Sequence, residues 1–269
     1  MGLKKLSRHT GLTSLHRDLA LVCEAAQATS DAPSVLPNCD AALIDRDGAL
    51  HALGRNHLLA AQRLPADRML FLTRDLSLII RETSGVEHII ASSAAEPRVS
   101  EDGSRVVFTQ FHGATELQPG NIGKLVSRNM SDGVLHTVTE DPSASSPFPV
   151  PGSQDVIFLS ARTGLASIWM AAPGLPDRQI TNIGKTRVDG NFVPVFGREL
   201  VWIPGTRKAV YTASYGTHNL WLLDIDKGRA VKLGPGRLPQ WAENAAIMAI
   251  DDDPGSPGGA VQYPYGGMR

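Results

Sequence analysis

Between residues 41 and 250 short apolar runs alternate with turn residues at the spacing of strands. One phrase organises the rest: Val201-Trp202-Ile203-Pro204-Gly205-Thr206-Arg207-Lys208-Ala209-Val210-Tyr211. An apolar strand enters a Pro-Gly turn, and an apolar triplet ending in an aromatic comes next. The phrase recurs from Phe148 through Pro151-Gly152 to Val156-Ile157-Phe158, and from Val99 through Asp102-Gly103 to Val106-Val107-Phe108. Pro65-Ala66-Asp67-Arg68-Met69-Leu70-Phe71 is a weaker copy, and Gln240 to Met248 a degenerate fifth. Each reads as two antiparallel strands, because Pro presets φ for a turn and Gly or Asp tolerates the left-handed position in it.

A second unit alternates with the first. Asp47-Gly48 joins residues 41–45 to 49–53, and Asp-Gly between apolar runs is a strong hairpin signal. Equivalent hairpins centre on Ser84-Gly85, Asp132-Gly133, Pro173-Gly174 and Lys227-Gly228. The two units give four strands per repeat, at intervals of about 37 to 53 residues. That period predicts an all-β fold, a β-propeller of about five four-stranded blades. The chain starts with a hairpin lacking inner strands and ends with inner strands lacking a hairpin. Residues 238–250 and 41–53 are therefore expected to share one blade and close the ring, leaving no open edge. The other blades are 58–92, 97–139, 147–182 and 192–233. Six blades would need a repeat that the pattern does not supply.

Three regions are assigned: an N-terminal extension and linker over 1–38, the propeller over 39–250, and a Gly/Pro-rich, disordered tail over 251–269. Lys4, Lys5, Arg8 and Arg17 precede a short apolar run at Leu19 to Cys23, with small residues at Ala26-Gln27-Ala28. That order fits a secretory signal, although Glu24 interrupts it. Asp18 to Ala28 fits an amphipathic helix equally well. A signal would place the protein in the periplasm or outside the cell, and its absence in the cytoplasm. Cys23 and Cys39 read as unpaired small apolar residues, with a disulfide open only if both survive in the mature chain.

The 269-residue chain carries a net charge of -1 with 20% charged residues. Nucleic acid or an anionic membrane would call for a concentrated basic face. No apolar run reaches the length of a membrane-spanning helix. The reading is a monomer without nucleic-acid partner, membrane span or cofactor.

With Trp202, Pro204, Gly205, Tyr211 and Trp221 in place, the stretch 201–233 resembles the repeat of TolB-type β-propeller proteins. The stretch 97–139 keeps Ser100, Asp102 and Gly103 but has Glu101 where the family usually has Pro, and 147–182 keeps Pro151, Gly152, Phe158 and Trp169. The resemblance covers residues 41 to 250 and implies a scaffold. TolB itself adds an α/β domain before its propeller, with no counterpart in residues 1–40. Such repeats also occur in the propellers of prolyl-oligopeptidase-like enzymes.

Candidate chemistry lies in the loops after the aromatic strands. These carry Arg74 and Asp75, His112 and Glu116, Arg162, and Tyr215 and His218. The mixture suits a binding rim for a protein or peptide. Its two carboxylates, Asp75 and Glu116, are the minimum for a glycoside hydrolase, which is the alternative. The loop from Phe111 to Gly123 is the largest insertion, and long loops on a rigid scaffold carry function. No Gly-x-Ser-x-Gly elbow is present. His51, His88 and His136 share one repeat position on outer strands of separate blades, too far apart for one ion, so no metal site is assigned. Asp45-Arg46-Asp47-Gly48 and Asp224 to Gly228 read as turns, since a calcium loop's register and closing Glu are missing. Trp169, Trp202, Trp221 and Trp241 read as packing between blades.

Overall fold

The computed structural model describes residues 10–16, 19–24, 39–44, 50–54, 57–116, 123–164, 166–181, 200–215, 217–242, 246–250 and 260–264. Among them there are strands and no helix.

The described residues form six antiparallel sheets that follow one another along the chain. The first holds β1 (Thr10–His16), β2 (Leu19–Glu24), β3 (Cys39–Ile44) and β4 (Leu50–Ala52). The second holds β5 (Leu58–Arg63), β6 (Met69–Thr73), β7 (Leu78–Arg81) and β8 (Glu87–Ala91). The third holds β9 (Ala94–Val99), β10 (Arg105–Phe111), β11 (Gly123–Asn129) and β12 (Leu135–Thr139). The fourth holds β13 (Ser145–Pro149), β14 (Val156–Ser160), β15 (Ser167–Ala171) and β16 (Arg178–Gln179). The fifth holds β17 (Leu200–Trp202), β18 (Lys208–Tyr215), β19 (Thr217–Asp224) and β20 (Arg229–Pro235). The sixth has three strands, β21 (Arg237–Ala242), β22 (Ala246–Ile250) and β23 (Ala260–Pro264). Each sheet is ordered as its sequence, so every strand lies beside its chain neighbour. Packing divides the chain into two compact units, residues 1–106 with 110–122 and 129–133, and residues 107–109 with 123–128 and 134–269.

The organising phrase forms the first two strands of a sheet. Trp202 pairs with Ala209, Val201 with Val210 and Leu200 with Tyr211. Ile203 N–H donates to the Lys208 carbonyl at 2.9 Å across a turn in which Gly205 takes φ +69. Gly152 and Gly103 do the same at +66 and +68. The weak copy has no glycine, so Ala66 and Asp67 take the left-handed conformation themselves, at +59 and +57. The closing aromatics Phe71, Phe108, Phe158 and Tyr211 are all fully buried. β14 is buried along its whole length, which is why Val156-Ile157-Phe158-Leu159 is apolar without alternation. The fourth strands face water: β8 and β12 each open with three exposed residues, among them His88 and His136.

The ends of the chain correct the expectation. β3 pairs with β2, with Leu43 opposite Leu19 and Cys39 opposite Cys23. Residues 41–53 therefore belong to a sheet completed by residues 10–24, and 238–250 to a separate sheet completed by β23. Among the described residues the two segments do not share a sheet. Leu19–Glu24 is a strand and not part of a helix, and the tail contributes Ala260–Pro264. Alternation in Leu19-Ala20-Leu21-Val22 is masked because all four residues are apolar. Cys39 is disulfide-bonded, against the reading of two unpaired cysteines, and Cys23 is the one other cysteine in the chain. The Asp47-Gly48 turn lies outside the described residues.

Candidate functional site

In the first unit, Arg74 and Asp75 form the turn between β6 and β7. Arg74 N–H donates to the His57 carbonyl at 3.0 Å. Asp75 folds back on its own turn: Thr73 Oγ1 bonds one carboxylate oxygen and Ser77 Oγ donates to the other at 2.9 Å. The Thr73 hydrogen bond, supported by Ser77, holds the Asp75 carboxyl below its usual range against the opposing effect of partial burial. His112 and Glu116 follow β10 and are exposed. Gln118 and the rest of 117–122 lie outside the described residues.

In the second unit, Arg162 opens the turn between β14 and β15 and is not a free rim cation. Its Nε donates to Asp141 Oδ2 and its Nη2 to Asp177 Oδ2, both at 2.8 Å. The guanidinium lies over the Trp169 ring at 4.4 Å and over Phe158 at 5.6 Å. Asp141 is also bonded by Ser160 Oγ, by Ser143 Oγ at 2.8 Å and by Ser143 N–H at 2.9 Å. Thr139 Oγ1 donates to Asp177 at 2.7 Å. Burial pushes the Asp141 carboxyl up, but the Ser160 and Ser143 hydrogen bonds and the Arg162 charge together bring it below its usual range. The partners sit between 15 and 21 residues from Arg162, so no local motif announces them. A planar, two-ended cation is what such a cluster requires.

Tyr215 and His218 are strand residues, not loop residues. Tyr215 ends β18 opposite Thr217, and His218 stands in β19 opposite Ser214. Their side chains lie outside the described residues. A second arginine, Arg207, has no marked place in the repeat. Its Nη2 reaches Asp155 at 3.1 Å and its Nε reaches Asp226 at 2.9 Å, tying the fourth sheet to the fifth. Asp224 Oδ1 accepts from Lys227 N–H at 3.0 Å, so Asp224 to Gly228 is a turn bonded to itself. Among the described residues no group of three metal-ligating side chains is found.

No protein-family model matches the chain, and no curated protein matches it in sequence. Solved structures match its fold. TolB from Acinetobacter baumannii superposes with a TM-score of 0.60 at 18% identity, over 84% of this chain and 57% of that one. A TolB-like structure from Agrobacterium tumefaciens gives 0.56 at 13% identity, over 82% and 79%. Oligogalacturonate lyase from Vibrio parahaemolyticus gives 0.59 at 11% identity, over 86% and 67%. A puromycin-hydrolysing peptidase of Mycobacterium tuberculosis gives 0.60 at 13% identity, over 97% and 52%. The chain thus spans a little over half of the first TolB structure and of the peptidase. The four-stranded antiparallel sheets and these neighbours agree: the chain has the fold of a TolB-type β-propeller.

Proposed function

We propose that this chain is a non-enzymatic binding module that takes a protein or peptide, with the loop following β10 as one edge of its site. The observation that carries this is the state of the carboxylates. Asp75 and Asp102 are held below the usual carboxyl range by hydroxyl and backbone hydrogen bonds within their own turns, and Asp141 is held there, against its burial, by the Ser160 and Ser143 hydrogen bonds and the Arg162 charge. A glycoside hydrolase needs a carboxylic acid that stays protonated near neutral pH, which requires a raised pKa. Three acids pinned as anions suit a rigid polar surface better. His112 and Glu116 stand exposed after β10. Similarity to a lyase and a peptidase at 11% and 13% identity carries fold alone.

The test places a photo-crosslinking residue at His112, and as a control at His88 on the outer strand β8. A partner crosslinked from His112 and not from His88 supports the reading. Equal recovery from both, or release of sugar from added pectic or bacterial polysaccharide, overturns it.

A further inference from the structure

The fourth and fifth sheets meet in one buried cluster, with Ile157 and Ile180 from one and Tyr211 and Leu223 from the other. Met170, Trp221 and Ala230 pack against its margin and are only partly buried. Strand pairing tells which charged residues share that margin. Arg178 stands opposite Met170 and Lys232 opposite Trp221. Residues directly opposite in antiparallel strands put their side chains on one face. Arg178 and Lys232 therefore both belong to this seam, and both are exposed. A Cβ placed on Gly228 would stand 4.0 Å from Arg178 Nη1, so the guanidinium crosses the seam to the tip of the β19–β20 hairpin. Gly228, Ala230 and Lys232 follow at alternate positions. The Arg178 guanidinium and Lys232 are thus about four residues of strand apart, roughly 13 Å.

We infer that the margin of this seam docks an extended acidic segment of another protein, with two carboxylates four residues apart and an apolar side chain midway between them. Charge complementarity carries the choice of partner. Asp155 and Asp226 both bind Arg207, at 3.1 and 2.9 Å. Asp177, next to Arg178 in sequence, is taken by Arg162. Among the described residues neither Arg178 nor Lys232 makes an ion pair or a side-chain hydrogen bond. The seam thus has two unmatched cations and no acid left over to answer them. Carboxylates on alternate sides of an apolar residue reach both cations, and the apolar residue falls over Ala230 and the open part of Trp221. Trp and Arg are the residue types that dominate binding energy at protein interfaces. Nucleic acid fits less well, because a phosphate backbone is held by a longer track of cations. This site is separate from the loop after β10 and stands without it.

The probe is a fluorescein-labelled heptapeptide, Ser-Glu-Thr-Leu-Thr-Glu-Ser, titrated against the full chain by anisotropy. Saturable binding is expected. Arg178→Glu and Lys232→Glu should each weaken it several-fold, roughly fivefold. A peptide with Lys in place of both Glu residues should bind the double variant better than it binds the parent, which separates lost recognition from lost folding. Arg229 pairs with Asp224 on the face that carries Leu222 toward the sixth sheet. Arg229→Glu should therefore change affinity least. No saturation at millimolar peptide, equal binding by all variants, or an equal loss with Arg229→Glu overturns the inference. So does a single-stranded oligonucleotide that binds more tightly than the peptide, since the partner would then be a phosphate backbone. A concentration-dependent dimer that the peptide does not dissociate points to a second copy and also overturns it.

Discussion

Arg162 and Asp141 are 21 residues apart in sequence and joined by an Nε to Oδ2 bond of 2.8 Å. Asp141 precedes β13, the first strand of the fourth sheet, and Arg162 follows the second. The arginine thereby fixes the segment between the third and fourth sheets to the turn that carries it. Asp141 has 8% of its side chain exposed and Asp177 16%, so neither is hydrated enough to stand alone. Arg162→Leu should lower stability by about 3 kcal/mol, because it leaves two largely buried carboxylates without their cation. Arg162→Lys should recover only part of this, since an ammonium cannot address two carboxylates through a fixed fork. Urea denaturation of the three proteins reads both effects. An unchanged midpoint for Arg162→Leu would show the cluster to be solvated.

The same cluster sets an acid limb. The folded Asp141 carboxyl lies below its ordinary value of 3.8. A depressed folded pKa stabilises the native state above the unfolded pKa. That contribution is lost as pH falls through the folded value. Stability should therefore be level from neutrality down to about pH 5 and fall below about pH 4. Asp141→Asn should be less stable at neutral pH and have a shallower acid limb. Urea midpoints between about pH 3 and pH 7 give the comparison, and parallel limbs in both proteins would remove Asp141 from the explanation.

Gly103 takes φ +68, and a Cβ there would overlap the Pro65 ring from the turn of the preceding sheet. Gly103→Ala combines a left-handed alanine with a steric clash and should cost about 2 to 4 kcal/mol. Gly205 has nearly the same φ and nothing within 4 Å, so Gly205→Ala should cost only the conformational part, about 1 kcal/mol. Pro65→Ala in the Gly103→Ala background should recover the difference. Equal costs at the two glycines would mean that the Pro65 contact is slack.

Cys39 is disulfide-bonded, and its register partner Cys23 is the one other cysteine in the chain. The bond closes a short loop and should contribute about 3 kcal/mol. Dithiothreitol should lower the thermal midpoint of the full chain, and Cys39→Ser should match the reduced protein. A reductant-insensitive midpoint would show the bond to be absent.

The central four sheets were legible because their turns are punctuated. Pro151-Gly152 and Pro204-Gly205 mark the inner pair, and Asp132-Gly133 and Lys227-Gly228 the outer pair. The buried aromatics Phe71, Phe108, Phe158 and Tyr211 then fix the phase of each repeat. The first sheet was hidden because Leu19 to Cys23 is apolar at every position, which fits a strand, a helix or a signal core alike. The sixth was hidden because Ala260-Val261-Gln262-Tyr263 sits among Gly and Pro. Arg162 was found by its place in the repeat, yet its partners were not. Asp141 and Asp177 meet it from turns 21 and 15 residues away, a separation that no local spacing encodes. The loops offered a set of polar residues, and only their hydrogen bonds separated Asp75, folded on its own turn, from His112, exposed after β10.

The sixth sheet depends on its last strand. Tyr263 pairs with Ile247, flanks the cluster of Leu220, Leu222 and Ala249, and donates its hydroxyl to the Pro235 carbonyl at 2.7 Å. Tyr263→Phe removes the hydrogen bond alone and should cost about 1 kcal/mol. Tyr263→Ala also uncovers the apolar flank and should cost about 3 kcal/mol or more. Deleting residues 260–269 should then be worse than either, because Ala246 to Ile250 lose every main-chain partner that β23 provides. Thermal midpoints in that order, with rising exposure of Trp241 to a fluorescence quencher, would establish β23 as structural. A deletion as stable as the parent would return these residues to a tail.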